Sequence, residues 1–250
     1  MCLDLENSCR DDQRSKKEPN RLEFDRDRGL QKSKKKRKTP GFPGHRFCYA
    51  DVFNGNVGGW DVSRVTSMYE TFHMAVKFQG TGVDSWDVGA VADFAGMFKS
   101  WYGESAFDQD LGDWNVGAGV DFGHMFMGAS KFRGLGLERW DTSAATRLTG
   151  MFQATYGGTQ FDGDVATWDT SKVTNMVQMF ESCNAFDRDL SAWDLSACSS
   201  IAGMFRWAYT FDQDLEWCLN PGTLTAFAYD DAGCEATSCT VGFSGGAAWC

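Results

Sequence analysis

The stretch Phe161-Asp-Gly-Asp-Val-Ala-Thr-Trp-Asp-Thr-Ser-Lys-Val-Thr-Asn-Met-Val-Gln-Met-Phe180 decides the fold, because related stretches recur along most of the chain. Its tryptophan belongs to a series spaced by 26, 28, 26, 28 and 25 residues, namely Trp60, Trp86, Trp114, Trp140, Trp168 and Trp193. A phenylalanine follows each of them after twelve residues, namely Phe72, Phe98, Phe126, Phe152, Phe180 and Phe205. A fixed internal period of roughly 20 to 50 residues is typical of repeat architectures. We expect these twelve aromatic residues to be structural.

The boundaries of the units follow from a second phenylalanine, seven or eight residues before each tryptophan, at Phe53, Phe78, Phe107, Phe132, Phe161 and Phe186. Phe211 begins a seventh, incomplete unit around Trp217. From the later phenylalanine of one unit to the opening one of the next, the interval is six residues in most units. It is nine after the second and fourth units. Length variation at one place indicates a loop on one side of a stack of repeats.

Two periodicities within each unit predict its secondary structure. Apolar residues alternate around the tryptophan, as in Trp60 and Val62, which indicates a short strand. Further on, Val173, Met176 and Phe180 have helical spacing, and a Ser or Gly suited to capping precedes them. The sequence therefore predicts an α/β repeat solenoid with about six complete units of roughly 25 to 29 residues, whose stacking builds the core. Alternatively, the Val-x-x-Met segment is itself strand-like and the helix is a single turn.

Charge divides the chain. Residues 1–46 hold 14 Lys and Arg against 8 Asp and Glu, whereas the other 204 residues hold 10 against 26. We expect residues 1–46 to be a disordered basic tail, 47–217 the solenoid and 218–250 a cysteine-rich cap. The basic run Lys32–Lys38 is typical of nuclear import or nucleic-acid binding, or is a solvated tail or sequence outside the mature protein. Because the acidic body repels phosphate, we expect no nucleic-acid partner.

We expect neither a membrane-spanning helix nor a signal peptide in the residues of this sequence. It has no run of about 18 apolar residues, which excludes a spanning helix. The segment from Met1 to Ser8 lacks the apolar region of a signal peptide.

The motif Trp60-Asp-Val-Ser-Arg-Val-Thr-Ser-Met resembles the 26-residue repeat of BspA-like leucine-rich-repeat surface proteins. The resemblance covers about residues 51–217, with departures such as Asn115 after Trp114 and Thr71 in place of the second Met. It implies an open leucine-rich-repeat-like solenoid and an adhesion-like binding role at a surface. It carries over no catalytic residue.

Two acidic ladders are the candidate binding sites. One follows the tryptophans and includes Asp61 and Asp169; the other is the Phe-Asp-x-Asp ladder of Asp108, Asp110, Asp162, Asp164, Asp187, Asp189, Asp212 and Asp214. Carboxylates about 5 Å apart on stacked turns repel by about 3 kcal/mol, so something must offset the repulsion. For the first ladder we expect hydrogen bonds from turn amides. For the second, Ca²⁺ is a further hypothesis.

Catalytic and metal patterns are otherwise poor. His45, His73 and His124 occupy different repeat positions without a recurrent Ser or Cys partner, so we expect no enzyme activity and no cofactor. Cys183 and Cys198 replace small apolar residues of other units and should be buried. The four C-terminal cysteines predict a disulfide-stapled cap, with free thiols as the alternative. They are Cys218, Cys234, Cys239 and Cys250.

These observations predict a non-enzymatic extracellular or cell-surface protein that binds a protein or glycan. The alternative is an intracellular or nuclear interaction scaffold directed by the basic tail. The sequence names neither the ligand nor the oligomeric state.

Overall fold

Successive repeats are joined by parallel backbone pairing. The computed structural model describes residues 47–155 and 158–234, together with the backbone of 241–243. Parallel bridges connect one residue of each repeat to its counterpart in the next, along the bridge row of Ser67, Asp93, Asp121, Arg147, Asn175, Ser200 and Leu224. Each repeat therefore forms one turn, and the next repeat stacks on it.

The pairing extends over several residues of each turn. The amides of Met68, Glu70 and Phe72 donate to the carbonyls of Asp93, Ala95 and Met97, at 2.7, 2.9 and 2.9 Å. The same alternation recurs in every later pair of turns, up to the bond of 2.9 Å from the Trp207 amide to the Asp230 carbonyl. This ladder satisfies the backbone of each turn through its neighbour rather than within the turn.

A left-handed residue lies three positions after each bridge residue. These residues form the left-handed row, with φ between 47° and 65°: Glu70, Gly96, His124, Gly150, Gln178, Gly203 and Phe227. A residue in this conformation cannot continue an α-helix, because its carbonyl points away from the helix axis. The chain instead closes tight turns, such as the bond of 3.1 Å from the Thr71 amide to the Met68 carbonyl.

The secondary structure differs from the expectation in two respects. The described residues contain no α-helix: their helices are two 3-10 helices, Val83–Ser85 and Leu137–Arg139. The predicted short helix of each unit is therefore wrong, because the left-handed row interrupts it. The bridges also run along the Val-x-x-Met segment, as the alternative interpretation had it. Around the tryptophans, the described strand pairing is that of β1 (Trp217–Leu219) with β2 (Val241–Phe243), which is parallel.

The tryptophans tie each turn to the one before it. From Trp86 onward, each lattice indole Nε1 donates to the carbonyl of the buried Val or Leu that lies three residues before the previous lattice tryptophan. An example is the bond of 2.9 Å from Trp140 to Leu111. Five further tryptophans make the same bond, at 2.8 to 3.0 Å: Trp86, Trp114, Trp168, Trp193 and Trp217. This recurring hydrogen bond explains why an indole, rather than another large ring, stands at these positions.

The phenylalanines form stacked pairs inside the core. The later ring of each unit lies 3.8 to 4.2 Å, between centroids, from the opening ring of the next, with Phe152 and Phe161 the closest pair. Both rings of that pair are at most 2% exposed. The tryptophans and both phenylalanines of the six units are buried, except that Phe53 and Trp60 of the first unit are partly exposed.

The stacking reaches beyond the predicted solenoid boundary at residue 217. Tyr229 takes the place of the lattice phenylalanine and stacks on Phe205 with centroids 5.8 Å apart. At the other end, Phe47 stacks on Phe72 at 5.5 Å. The seventh unit, expected to be incomplete, therefore contributes a full turn. The predicted tail, residues 1–46, lies outside the described residues, and none of the described helices is long and apolar enough to cross a membrane.

Candidate binding surface

In three of the four Phe-Asp-x-Asp motifs, the first aspartate bonds to the following turn. Asp108 accepts from the Arg133 amide and pairs with its guanidinium at 2.8 Å. Asp162 pairs with Arg188 at 2.6 Å, and this contact raises the pKa of Arg188. Asp187 accepts hydrogen bonds from the Asp212 amide and the Gln213 side chain, at 2.9 and 2.8 Å. Arginine and amide donors thus offset much of the repulsion that stacked carboxylates would otherwise create.

The second aspartate of the motif shapes its own turn. The carboxylates of Asp110, Asp164 and Asp189 accept from the amide two residues later, at 2.8 to 3.1 Å. Asp110 also pairs with Arg139 at 2.9 Å. Asp214, like Asp212, is exposed and has partners of its own. The bond from the carboxylate to the amide two residues later closes an Asx turn.

The aspartates that follow the tryptophans make the same turn in all six units. Asp61, Asp87, Asn115, Asp141, Asp169 and Asp194 each accept from the amide two residues later. Hydrogen bonds from Ser63, Ser143 and Ser171 lower the pKa of Asp61, Asp141 and Asp169 respectively. The expected bonds from turn amides are confirmed, and an asparagine can accept the same bond without charge.

The side chains on the face that carries the bridges differ from one unit to the next. We define the bridged face as the bridge row, the residues two positions after it and the left-handed row. Its polar groups connect neighbouring turns: Ser67 donates to Asp93 at 2.9 Å, and Asp121 faces Arg147 at 3.5 Å. Several bridge residues also accept the amide two residues later, as Asp121 does from Gly123 at 2.8 Å.

Large apolar side chains stand at the two ends of this face. Tyr69 is 39% exposed in the first turn, and Leu224 and Phe227 are 64% and 61% exposed in the seventh. Between them, the position two residues after the bridge row carries mostly small side chains: Ala95, Gly123, Thr149, Val177 and Ala202. The bridged face therefore carries polar and mostly small side chains at its centre, and aromatic or aliphatic side chains at its ends.

The left-handed row alternates between glycine and a residue with a side chain. A Cβ placed on Gly96 would lie 2.9 Å from the Cγ of Glu70, so the side chain of one turn fills the space over the glycine of the next. The same holds for His124 over Gly150 and Gln178 over Gly203. The spacing is about two units, 54 residues from Glu70 to His124 and again from His124 to Gln178. The sequence reading missed this alternation, although the glycines at every second unit are its signal.

Two groups in this region titrate abnormally. Burial, and then the nearby cations Lys99 and Arg147, lower the pKa of His124 to about 4. Burial also lowers the pKa of Lys99, whose ammonium lies 4.0 Å from the centroid of Trp101. In a largely buried site beside two cations, the neutral form of the His124 imidazole has a lower free energy than the protonated form.

A cluster that the sequence reading missed lies at the first turns. Cys48 Sγ lies 3.6 Å from His73 Nδ1, and His73 Nδ1 lies 3.8 Å from Glu70 Oε2. The sequence shows no recurrent Ser or Cys partner for His73, and the Cys48 contact is indeed made once rather than in every turn. Phe47 gives the missing signal, because it places Cys48 at the same repeat position as His73, directly after a lattice ring.

The cysteines fall into two groups. Cys183 and Cys198 are buried free thiols, as expected, and burial raises the pKa of both. Cys48, Cys218 and Cys234 are disulfide-bonded. Cys239 and Cys250 of the predicted cap lie outside the described residues.

Stacked turns with an internal aromatic lattice define a repeat protein, and comparison with known families agrees. The chain belongs to the family described as Mycoplasma protein of unknown function, DUF285, whose model matches residues 45–157 and 135–226. The match identifies the repeat family without specifying a BspA-like leucine-rich-repeat protein. No curated protein and no solved structure matches the chain.

Proposed function

We propose that this protein is a non-enzymatic solenoid of the leucine-rich-repeat kind, similar to BspA-like surface proteins, that binds a protein or glycan at the cell surface. One observation carries the proposal: the recurring residues make the contacts between turns, whereas the side chains of the bridged face differ from one unit to the next. The Trp140 indole bonds to Leu111, for example, while Arg147 points outward with half of its side chain exposed. Residues that hold turns together need no further role.

The chemistry of the bridged face supports recognition rather than catalysis. It combines paired charges such as Asp121 and Arg147 with exposed Tyr69, Leu224 and Phe227. Aromatic and arginine side chains contribute a large share of the energy at protein interfaces. A reaction would need one unrepeated set of an acid, a base or a nucleophile, whereas the acidic motifs of this chain are repeated. The unrepeated cluster of Cys48 and His73 has its cysteine in a disulfide, which is not a nucleophile.

The extracellular location is part of the same proposal. Disulfide-bonded Cys218 and Cys234 support a stapled end and an oxidising compartment. The competing hypothesis is an intracellular or nuclear scaffold directed by Lys32–Lys38. Counting and locating reactive thiols in the native full chain separates the two: four oxidised C-terminal cysteines favour the surface protein, and nine reduced cysteines overturn it.

The binding experiment uses the full chain against an array of immobilised glycans and an array of purified extracellular proteins. Hits are retested with Arg147→Glu, which reverses a charge at the centre of the bridged face. The matched control is Arg133→Gln, an exposed arginine of the Phe-Asp-x-Asp ladder. We expect Arg147→Glu to weaken a hit at least tenfold and the control to leave it unchanged. Equal effects of both variants, or no hit on either array, would overturn the proposal.

A further inference from the structure

The cluster of Cys48, Glu70 and His73 has the composition of a transition-metal site. The three potential ligand atoms, Cys48 Sγ, a Glu70 carboxylate oxygen and His73 Nδ1, all lie within 4.8 Å of one another. His73 is 4% exposed, and its Nε2 is buried without a hydrogen-bond partner. Sulfur, imidazole and carboxylate together are the ligand types that Zn²⁺ takes in proteins.

Stacking of the first turns holds this cluster in place. The Tyr49 amide donates to the His73 carbonyl at 2.8 Å, so the backbones beside Cys48 and His73 run in register. Glu70 enters from the left-handed row, three residues before His73. In later turns the position after the lattice ring holds other residues, so the ligand set is confined to this end: Lys99, Met127, Gln153, Glu181 and Arg206.

The distances agree with tetrahedral coordination. Zinc lies about 2.3 Å from a thiolate sulfur and about 2.0 to 2.1 Å from an imidazole nitrogen, which places the two ligands about 3.6 Å apart at the tetrahedral angle. Cys48 Sγ and His73 Nδ1 are 3.6 Å apart. A thiolate and a carboxylate would also balance the charge of the dication, as a largely buried site requires.

The disulfide decides when this site can form. Cys48 is disulfide-bonded, and only a thiolate sulfur is a strong zinc ligand. We propose that reduction of the Cys48 disulfide converts this cluster into a zinc site with Cys48, His73 and Glu70 as ligands. Disulfide and bound metal then exclude each other. The proposal does not depend on which ligand the bridged face binds, although Glu70 belongs to that face.

The chemistry balances with a dithiol reductant. The reductant gives two electrons to the disulfide, becomes a disulfide itself, and leaves Cys48 and its former partner as thiols. Zinc then displaces the proton of the Cys48 thiol, which passes to solvent. Three protein ligands leave the fourth coordination position to water.

The test compares zinc bound by the full chain before and after reduction with a dithiol, which is then removed anaerobically. Zinc is counted by competition with a chromogenic chelator. Because reduction also frees other cysteines, the informative quantity is the difference between the native chain and His73→Ala, which changes no cysteine. His124→Gln is the matched control, since it alters the other described histidine.

We expect the reduced native chain and the control to bind one more zinc ion than reduced His73→Ala, and Glu70→Gln to bind that ion at least tenfold more weakly. Equal zinc in the reduced native chain and in a folded His73→Ala variant would overturn the proposal. So would equal binding by the oxidised and reduced native chain.

A spectroscopic readout covers the case in which His73→Ala fails to fold. Co²⁺ added to the reduced chain should give a sulfur-to-metal charge-transfer band that weakens in Cys48→Ser. An unchanged band in Cys48→Ser contradicts the site.

Discussion

The imidazole of His124 lies where a side chain on Gly150, in the next turn, would have to sit. A Cβ on Gly150 would approach the His124 ring to 2.6 Å at Cε1, and Gly150 itself has a φ of 57°. The His124 side chain thus fills the space that the missing side chain of Gly150 leaves, and both residues belong to the alternating left-handed row. The pairing makes the packing of two turns depend on which of them carries the glycine.

We expect Gly150→Ala to destabilise the protein by about 2 to 4 kcal/mol, because the new methyl group is strained at positive φ and meets the imidazole. Thermal or urea unfolding measures the loss. Gly222→Ala is the matched control, since no atom lies within 4 Å of its Cβ position, and should change stability by less than about 0.5 kcal/mol. In a His124→Gly background the loss from Gly150→Ala should shrink, because the contact is gone. An equal loss in both backgrounds contradicts the proposed packing.

The protein should become less stable as the pH is lowered, because His124 is protonated more readily in the unfolded chain than in the folded protein. The pKa of His124 is about 4 in the folded protein and 6.5 in the unfolded chain, so the unfolded state binds the proton first. The contribution is complete above pH 6.5 and is lost as the pH falls from 6.5 towards 4, by up to about 3 kcal/mol. His124→Gln should flatten the curve in this window, and Gln178 shows that glutamine tolerates the same backbone, with φ of 58°. Unfolding followed at several pH values checks this; identical slopes for both proteins would exclude His124 as the cause.

The indole bonds between turns should have a measurable effect on stability. Trp140→Phe keeps a ring in the lattice but removes one of the two donors to the buried Leu111 carbonyl, which still accepts from the Trp114 amide at 3.1 Å, so we expect a cost of about 0.5 to 1.5 kcal/mol. Trp101→Phe is the control, because Trp101 lies outside the lattice and is partly exposed. We expect a clear fall in the unfolding midpoint for the first variant and a smaller one for the second. If Trp140→Phe lowers the midpoint no more than Trp101→Phe does, the indole bond makes no measurable contribution to stability.

The lattice could be predicted from the sequence, whereas the conformation between lattice residues could not. Spacing such as that of Val173, Met176 and Phe180 suits a helix, but tight turns closed by bonds three residues apart produce the same spacing. The difference lies in the left-handed residue Gln178, and a positive φ at a residue other than glycine is uncommon enough that no pattern rule anticipates it. Glycines at every second unit were the available clue.

The candidate site was predicted unevenly for a related reason. The acidic ladders repeat, so their positions follow directly from the period. The cluster of Cys48 and His73 occurs once, and it becomes visible only when Phe47 is recognised as a lattice ring in an otherwise unmatched turn. Contacts between turns depend on register, and register at the ends of the repeat is where the pattern is weakest.

Calcium binding by the Phe-Asp-x-Asp ladder is a hypothesis from the sequence, and the observed contacts favour a negative result. Asp162 already pairs with Arg188 and Asp108 with Arg133, so a calcium ion would have to displace a guanidinium from each. We therefore expect millimolar Ca²⁺ to leave the melting temperature unchanged relative to a chelator-treated sample. Arg188→Gln removes one competing cation and serves as the comparison. If calcium raises the melting temperature of the native chain, its carboxylates bind the ion in spite of the arginines, and the ladder is a calcium site.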